Sequence, residues 1–135
     1  MDRVSAEQRS AIMRCIRGRD TGPEILVRRL LHRNGYRFRL HDRTLPGCPD
    51  IVLRPRKSVI FVHGCFWHQH QGCADGHIPK SHSTYWKSKL KRTRVRDRLH
   101  RSQLRKLGWR CLIVWECQLS NQNNLVGVLT KFLAR

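Results

Sequence analysis

The chain has 135 residues, room for one compact domain, and a domain of that length buries roughly two-thirds of its unfolded surface. Hydrophobic residues make up 39%, enough for a core, while 28 Lys and Arg against 9 Asp and Glu leave a formal charge of +19, an excess that needs a polyanion. The longest uncharged apolar stretches, Ser58 to Val62 and Leu112 to Trp115, are only strand-length, which points to a soluble, intracellular (cytoplasmic) chain with no membrane span and no signal peptide.

In chain order, Ser5 with Gln8 reads as a capping box for a helix over Glu7 to Arg17, stopped by Gly18, with Ile12 and Ile16 on one face. A second helix starts where Thr21 can cap, with Pro23 in the first turn and Glu24 completing a capping box, and it ends at Asn34 and Gly35. Tyr36, Phe38 and Leu40 alternate with Arg37, Arg39 and His41, the period of a strand with one buried face. After the turn Leu45 to Pro49, the runs Asp50 to Leu53 and Ser58 to His63 read as a hairpin joined by Arg54 to Lys57, so Asp50 begins a strand. Gly64 to about Ser83 has no periodicity, and a stretch of that kind inside a compact domain needs something to hold it. Thr84 to Leu107 is helical, with Trp86, Leu90, Asp97 and Leu104 on one side and Val95 and Leu99 on another. Trp109 to Glu116 reads as a buried strand, and Leu125, Val128, Leu129, Phe132 and Leu133 form the stripe of a last helix. The order is α, α, β, β, β, α, β, α, an α/β fold, with no repeat or linker to divide it.

The densest chemistry lies in HGCFWHQHQGC, His63 to Cys73, with two thiols and three imidazoles. Structural zinc takes about four N or S ligands in a closed tetrahedron. Cys65, His70 and Cys73 supply three, and the fourth must come from elsewhere: Cys117, just past a core strand, is the plausible staple, with Cys15, Cys48 and Cys111 as competitors. Cys111 inside an apolar strand has an ordinary alternative as a buried core thiol.

Further features carry a functional and an ordinary reading side by side. Asp50 at the mouth of a strand can hold Mg²⁺ against a substrate phosphate, or it merely caps the turn. Glu24 is one of three glutamates, and its place in the capping box explains it without any further role. His63 and His68 remain as a general base or acid once His70 takes zinc. Phe66, Trp67 and Trp86 stand beside a run of ten Lys or Arg from Lys87 to Lys106 interrupted by Asp97 alone. Such rings stack on bases or wedge into a base step, or else form a small core under the loop. A solvated helix face would mix its signs, so phosphate contact is the better reading of the run.

Taken together the chain resembles the very-short-patch repair (Vsr) mismatch endonucleases. The resemblance rests on RSAIMRCIRGRDTGPE from Arg9 to Glu24, LPGCPDIV from Leu45 to Val52, VIFVHGCFWHQH from Val59 to His70, VRD from Val95 to Asp97 and GWRCLIVWEC from Gly108 to Cys117. It implies a restriction endonuclease-like core, a mixed β-sheet flanked by helices with a structural zinc loop, in one domain over residues 1–135 whose segment 1–20 clamps DNA. The implied activity is strand-specific nicking 5′ of the T in a T:G mismatch left by deamination of 5-methylcytosine. Asp50 would bind Mg²⁺ with the backbone carbonyl of Val62, and His68 would activate water with Glu24 orienting it. His63 would assist at the scissile phosphate, and Cys65, His70, Cys73 and Cys117 would hold zinc. Phe66, Trp67 and Trp86 would enter beside the mismatch from the major groove, and Met13 and Ile16 from the minor groove. The implied partner is double-stranded DNA bound by a monomer, with mismatch-repair proteins and a cytosine-5 methyltransferase as functional partners.

Two positions depart from the family pattern: Gln71-Gly72 lengthens the span between His70 and Cys73, and Thr93 replaces a usual Asn. The competing reading is a non-catalytic, zinc-stapled nucleic-acid-binding module, which gives Glu24, Asp50 and His68 no joint role.

Overall fold

The computed structural model describes residues 21–70, 73 and 78–134; the expected first helix, with Met13 and Ile16, lies outside them. Thr21 caps the first described helix, α1 (Gly22–Arg33), its hydroxyl accepting the Glu24 amide at 3.4 Å. The Asn34 side chain closes the other end by donating to the Leu30 carbonyl at 2.7 Å. Strands β1 (Arg39–Leu40), β2 (Ile51–Leu53) and β3 (Ser58–His63) follow. A single 3₁₀ turn over Arg54–Arg56, ending on left-handed Lys57 (φ 49°), joins β2 to β3. Helix α2 (Ser83–Lys106) then crosses to β4 (Arg110–Trp115), a second 3₁₀ turn spans Glu116–Ser120, and α3 (Gln122–Leu133) ends the fold.

The sheet runs in the order β1-β2-β3-β4, antiparallel until the α2 crossover lays β4 parallel to β3. The result is the expected mixed α/β architecture. The pleat sorts its two faces. Ile51, Leu53, Ile60 and Val114 meet Val27, Leu30 and Leu31 of α1 and Leu125, Leu129 and Leu133 of α3 in one core. Val52, Val59 and Phe61 meet Leu104 of α2 and Trp109 in the other, with Cys111 packed against that core as the ordinary buried-thiol reading expects. Helix α2 buries Leu90, Thr93 and Leu104 and exposes Val95 and Leu99, each 54% accessible, as its periodicity requires.

One expected element shrinks. The strand expected over Tyr36 to His41 has ladder partners only at Arg39 and Leu40, opposite Val52 and Ile51; Tyr36 and Phe38 instead pack against the first core. The turn before Asp50 presses against α2 at Gly47, whose φ is 79° and where a Cβ would stand 2.9 Å from the Cβ of His100. Only glycine serves there, and the contact fixes how the chain enters β2.

Removing a fully buried side chain from this core leaves a cavity. Leu129→Ala should lower unfolding free energy by about 2–5 kcal/mol, whereas Leu99→Ser on the exposed flank of α2 should change it by no more than about 0.5 kcal/mol. Urea denaturation followed by circular dichroism measures both.

Candidate active site and metal centre

Asp50 stands immediately before β2, where the β2–β3 ladder ends at Ile51 and Ile60. Its carbonyl accepts the His41 amide at 3.3 Å, which continues the pairing with β1, and its carboxylate accepts the Val62 amide of β3 at 2.7 Å. Asp50 therefore bridges two strands and does not cap its own turn. Glu24, 1% exposed on the first turn of α1, adds a second carboxylate to the same cluster, within reach of one metal-sized group. The capping box is only half formed: Thr21 accepts the Glu24 amide, but the Glu24 side chain leaves the cap and accepts from the Arg28 guanidinium at 2.8 Å, with His41 Nε2 at 2.9 Å. His41 holds left-handed backbone, φ 47°, a cost that a non-glycine residue meets where the surroundings over-determine its position. Burial, and then the neighbouring Glu24 charge, raise the Asp50 carboxyl well above the usual carboxylate range. A divalent cation bound to this oxygen set would relieve both effects, so the donor chemistry fits a hard cation such as Mg²⁺.

The next residue of β3 after Val62 carries the second half of the site. His63 stacks on His68, ring centroids 3.7 Å apart and planes within 10°, and His68 Nδ1 lies 2.5 Å from Asp97 Oδ2 on α2. That pairing leaves the far nitrogen of His68 for substrate, the arrangement in which a carboxylate orients a general base. Burial opposes ionisation of Asp97, yet the hydrogen bond and charge of His68 hold its carboxyl below the ordinary value. For His63, burial and then the charge of His68 lower the imidazole to about 3, so it is neutral at physiological pH.

Beyond the imidazole pair, Cys65, His70, Cys73 and Cys117 place one ligand atom each within 4.8 Å of the others. His70 Nδ1 lies 3.7 Å from Cys65 Sγ and 3.4 Å from Cys117 Sγ. A tetrahedron with ordinary Zn–S and Zn–N lengths has S···N edges of about 3.6 Å, so the donor set fits zinc, with Cys117 rather than Cys48 or Cys111 as the fourth member. Burial pushes the Cys65 thiol up to about 12, whereas a bound cation favours the thiolate. The His70 ring stacks on Trp115 of β4 at 4.2 Å and 11°, and the Cys117 thiol comes from the 3₁₀ turn just beyond.

The aromatic residues converge as well. Phe66, Trp67 and Trp86 contact one another with centroids 5.2, 5.4 and 5.8 Å apart. Trp67 remains 48% exposed. Tyr85, 54% exposed, joins Trp86, and Lys89 lies over both the Trp67 and Tyr85 rings.

The structure thus brings Asp50, Glu24 and Val62 together, His63 and His68 together, and the four N/S residues together. It pairs Glu24 with Arg28 and His41, while His68 has Asp97 as its carboxylate partner. His41 and Asp97 were not singled out as site residues from the sequence. For Asp97 a signal existed, since it is the lone acid of the basic run and falls on the buried side of the helix; for His41 none did.

Comparison with known proteins places these sites in context. The family model of the DNA mismatch endonuclease Vsr matches residues 1–74. A type II nicking enzyme, V.XorIIP, from Xanthomonas oryzae pv. oryzae is 48% identical over 132 residues, 98% of this chain and 96% of the relative. A second, V.NmeAIP from Neisseria meningitidis, is 42% identical over 90% of this chain and 86% of its own length. The DNA mismatch endonuclease Vsr of Escherichia coli is 44% identical, covering 87% of this chain and 74% of the relative.

Two measurements follow from the geometry. Cys73→Ser should remove zinc from the purified protein and lower its thermal midpoint, because structural zinc contributes folding energy directly; metal analysis by mass spectrometry checks the first and calorimetry the second. His63 binds its proton less readily folded than unfolded, so its contribution to stability rises with pH between about 3 and the unfolded value of 6.5. Its imidazole resonances should accordingly show no midpoint between about pH 5 and 8 by NMR.

Proposed function

The chain belongs to the Vsr family of DNA mismatch endonucleases, and on that premise we propose that it nicks one strand of duplex DNA 5′ of the T of a T:G mismatch, with Mg²⁺ at Asp50 and a structural zinc nearby. The enzyme is a nuclease acting on DNA phosphodiester bonds, and the alternative of a non-catalytic binding module gives way to that. Relatives named as nicking enzymes support a single-strand cut.

The observation that carries the mechanism is that consecutive residues of β3 hold the two halves of the site. The Val62 amide fixes Asp50, and His63 stacks on the His68 that Asp97 holds. Mg²⁺ held by Asp50 and the Val62 carbonyl would neutralise charge developing on the scissile phosphate. Glu24 keeps the Asp50 oxygens company in the cluster and is itself anchored by Arg28 and His41. His68 takes the proton from the attacking water, and Asp97 fixes its tautomer by accepting from Nδ1. His63, neutral and stacked, keeps that ring in place beside the phosphate. The products are a 5′-phosphate and a 3′-hydroxyl.

Phe66, Trp67 and Trp86 provide the apolar edge that unstacks a wobble pair from the major groove, with Met13 and Ile16 acting from the minor groove. A T:G pair costs less to open than a matched one, which favours its selection. The four-strand sheet between helices is read as a restriction endonuclease-like core, and residues 1–135 as one domain acting as a monomer inside the cell.

Asp50→Ala should abolish nicking of a duplex with a single T:G pair in Mg²⁺, while binding of that duplex in a gel shift stays within a few-fold of wild type. Wild-type protein that binds the duplex but leaves both strands intact with every divalent metal would overturn the reading.

A further inference from the structure

Beside the imidazole pair lies a cavity of about 380 Å³, one wall of which, on α2, the mechanism above does not use. Its wall includes His63 and His68 on the sheet side and Arg94, Arg98 and Arg101 on α2. These arginines stand at spacings of four and three residues, which places their side chains on one face of a helix, one above another. Asp97 lies on the same wall, but its carboxylate is engaged by His68. Among the described residues no ion pair engages the three guanidinium groups. Two atoms of this wall are buried without a hydrogen-bond partner among the described residues, His63 Nδ1 and Arg101 Nε. Buried polar atoms without partners cost free energy, and an anion seated among these side chains would reduce that cost. Three guanidinium groups on one wall, free of ion pairs among the described residues and facing an imidazole pair, fit an oxyanion, and on a DNA strand that oxyanion is a phosphate.

We propose that this cavity is a phosphate-binding subsite, in which Arg94, Arg98 and Arg101 hold a backbone phosphodiester of the DNA against the His63–His68 pair. The inference rests on the reading above only for the ligand being a DNA strand. Guanidinium groups here serve position rather than sequence: they set where the strand lies relative to His68, and they do so for any flanking bases.

Binding without metal tests this, using duplexes that carry one T:G pair and a neutral methylphosphonate at each successive position. For wild type, affinity by fluorescence anisotropy should drop about tenfold where the substituted phosphate belongs to the cavity. Arg101→Met should bind the unmodified duplex about tenfold less tightly, with a slope of log K against log salt shallower by about one. Its methylphosphonate profile should be flat at the position where wild type shows the drop. Should circular dichroism show that Arg101→Met is not folded, Arg94→Gln on the exposed rim is scanned in its place against the same criterion. A folded variant that keeps the wild-type profile and affinity would overturn the subsite. Nicking plays no part in the readout, so a drop that disappears in the variant upholds the subsite even if the protein never cuts. Absence of any duplex binding would overturn both readings.

Discussion

The bond from the Val62 amide to the Asp50 carboxylate, 2.7 Å long, is the constraint on which the site depends. A ladder continued by main chain alone would leave Asp50 as one more residue of a hairpin. Here its carbonyl serves β1, through the His41 amide, while its side chain serves β3. A carboxylate can take this place because it accepts from an N–H without needing one of its own, and because a second oxygen remains for another partner. The same arrangement puts Asp50 beside Glu24, and two buried carboxylates repel unless something positive lies between or around them. Arg28 and His41 meet part of that need on the Glu24 side. The Asp50 side is the part left for a cation.

Trp115 organises the opposite half in a comparable way. Its indole meets His63 edge-on at 5.2 Å and 77°, and stacks face to face with His70 at 4.2 Å and 11°. One ring thus touches both an imidazole of the candidate catalytic pair and an imidazole of the N/S cluster. The cluster's position after β4, with Cys117 in the following 3₁₀ turn, ties the loop carrying Cys65, Phe66, Trp67 and His68 to the end of a core strand. A zinc ion held there would do more than stabilise an irregular loop: it would fix the height of His68 over His63, and with it the aim of the imidazole.

Much of this was legible in the residues, for definable reasons. Helices α1, α2 and α3 announce themselves because their apolar stripes and end signals agree, and Cys65, His70 and Cys73 because three N or S donors crowd into nine residues, whereas Cys117 stands among competing cysteines until the fold brings it beside His70. Glu24 was half hidden, since its amide does sit in a cap and local chemistry offered a sufficient account of the residue. Only the fold, which brings His41 within 2.9 Å of the Glu24 carboxylate, shows its side chain turned away from that cap. Asp97 could be placed on the inner side of its helix, but its pairing with His68, 29 positions away, depends on how α2 crosses the sheet, which no spacing encodes. The strand at Tyr36 misled because alternation reports a buried face and not a ladder partner. Tyr36 and Phe38 have the first without the second.

The charge balance ties these parts together. A surface with an excess of +19 draws in any duplex, matched or mismatched, because counterion release does not depend on base sequence. Affinity of that origin cannot select a mismatch, so selection has to come from groups whose interaction energy changes with the base pair. Arg94, Arg98 and Arg101 do not qualify, for a phosphate is the same at every step. Phe66, Trp67 and Trp86 would qualify in the wedge role proposed for them, because the cost of inserting a ring between bases falls where the pair is weakest. Cutting, on the proposed reading, needs the opposite electrostatics from binding: a pair of carboxylates within a positive surface, where a divalent cation would meet the scissile phosphate. Glu24 is already paired with Arg28 and His41, whereas burial and the Glu24 charge both work against the Asp50 anion, so a cation on the Asp50 side would be what lets that carboxylate stay charged within so basic a surface.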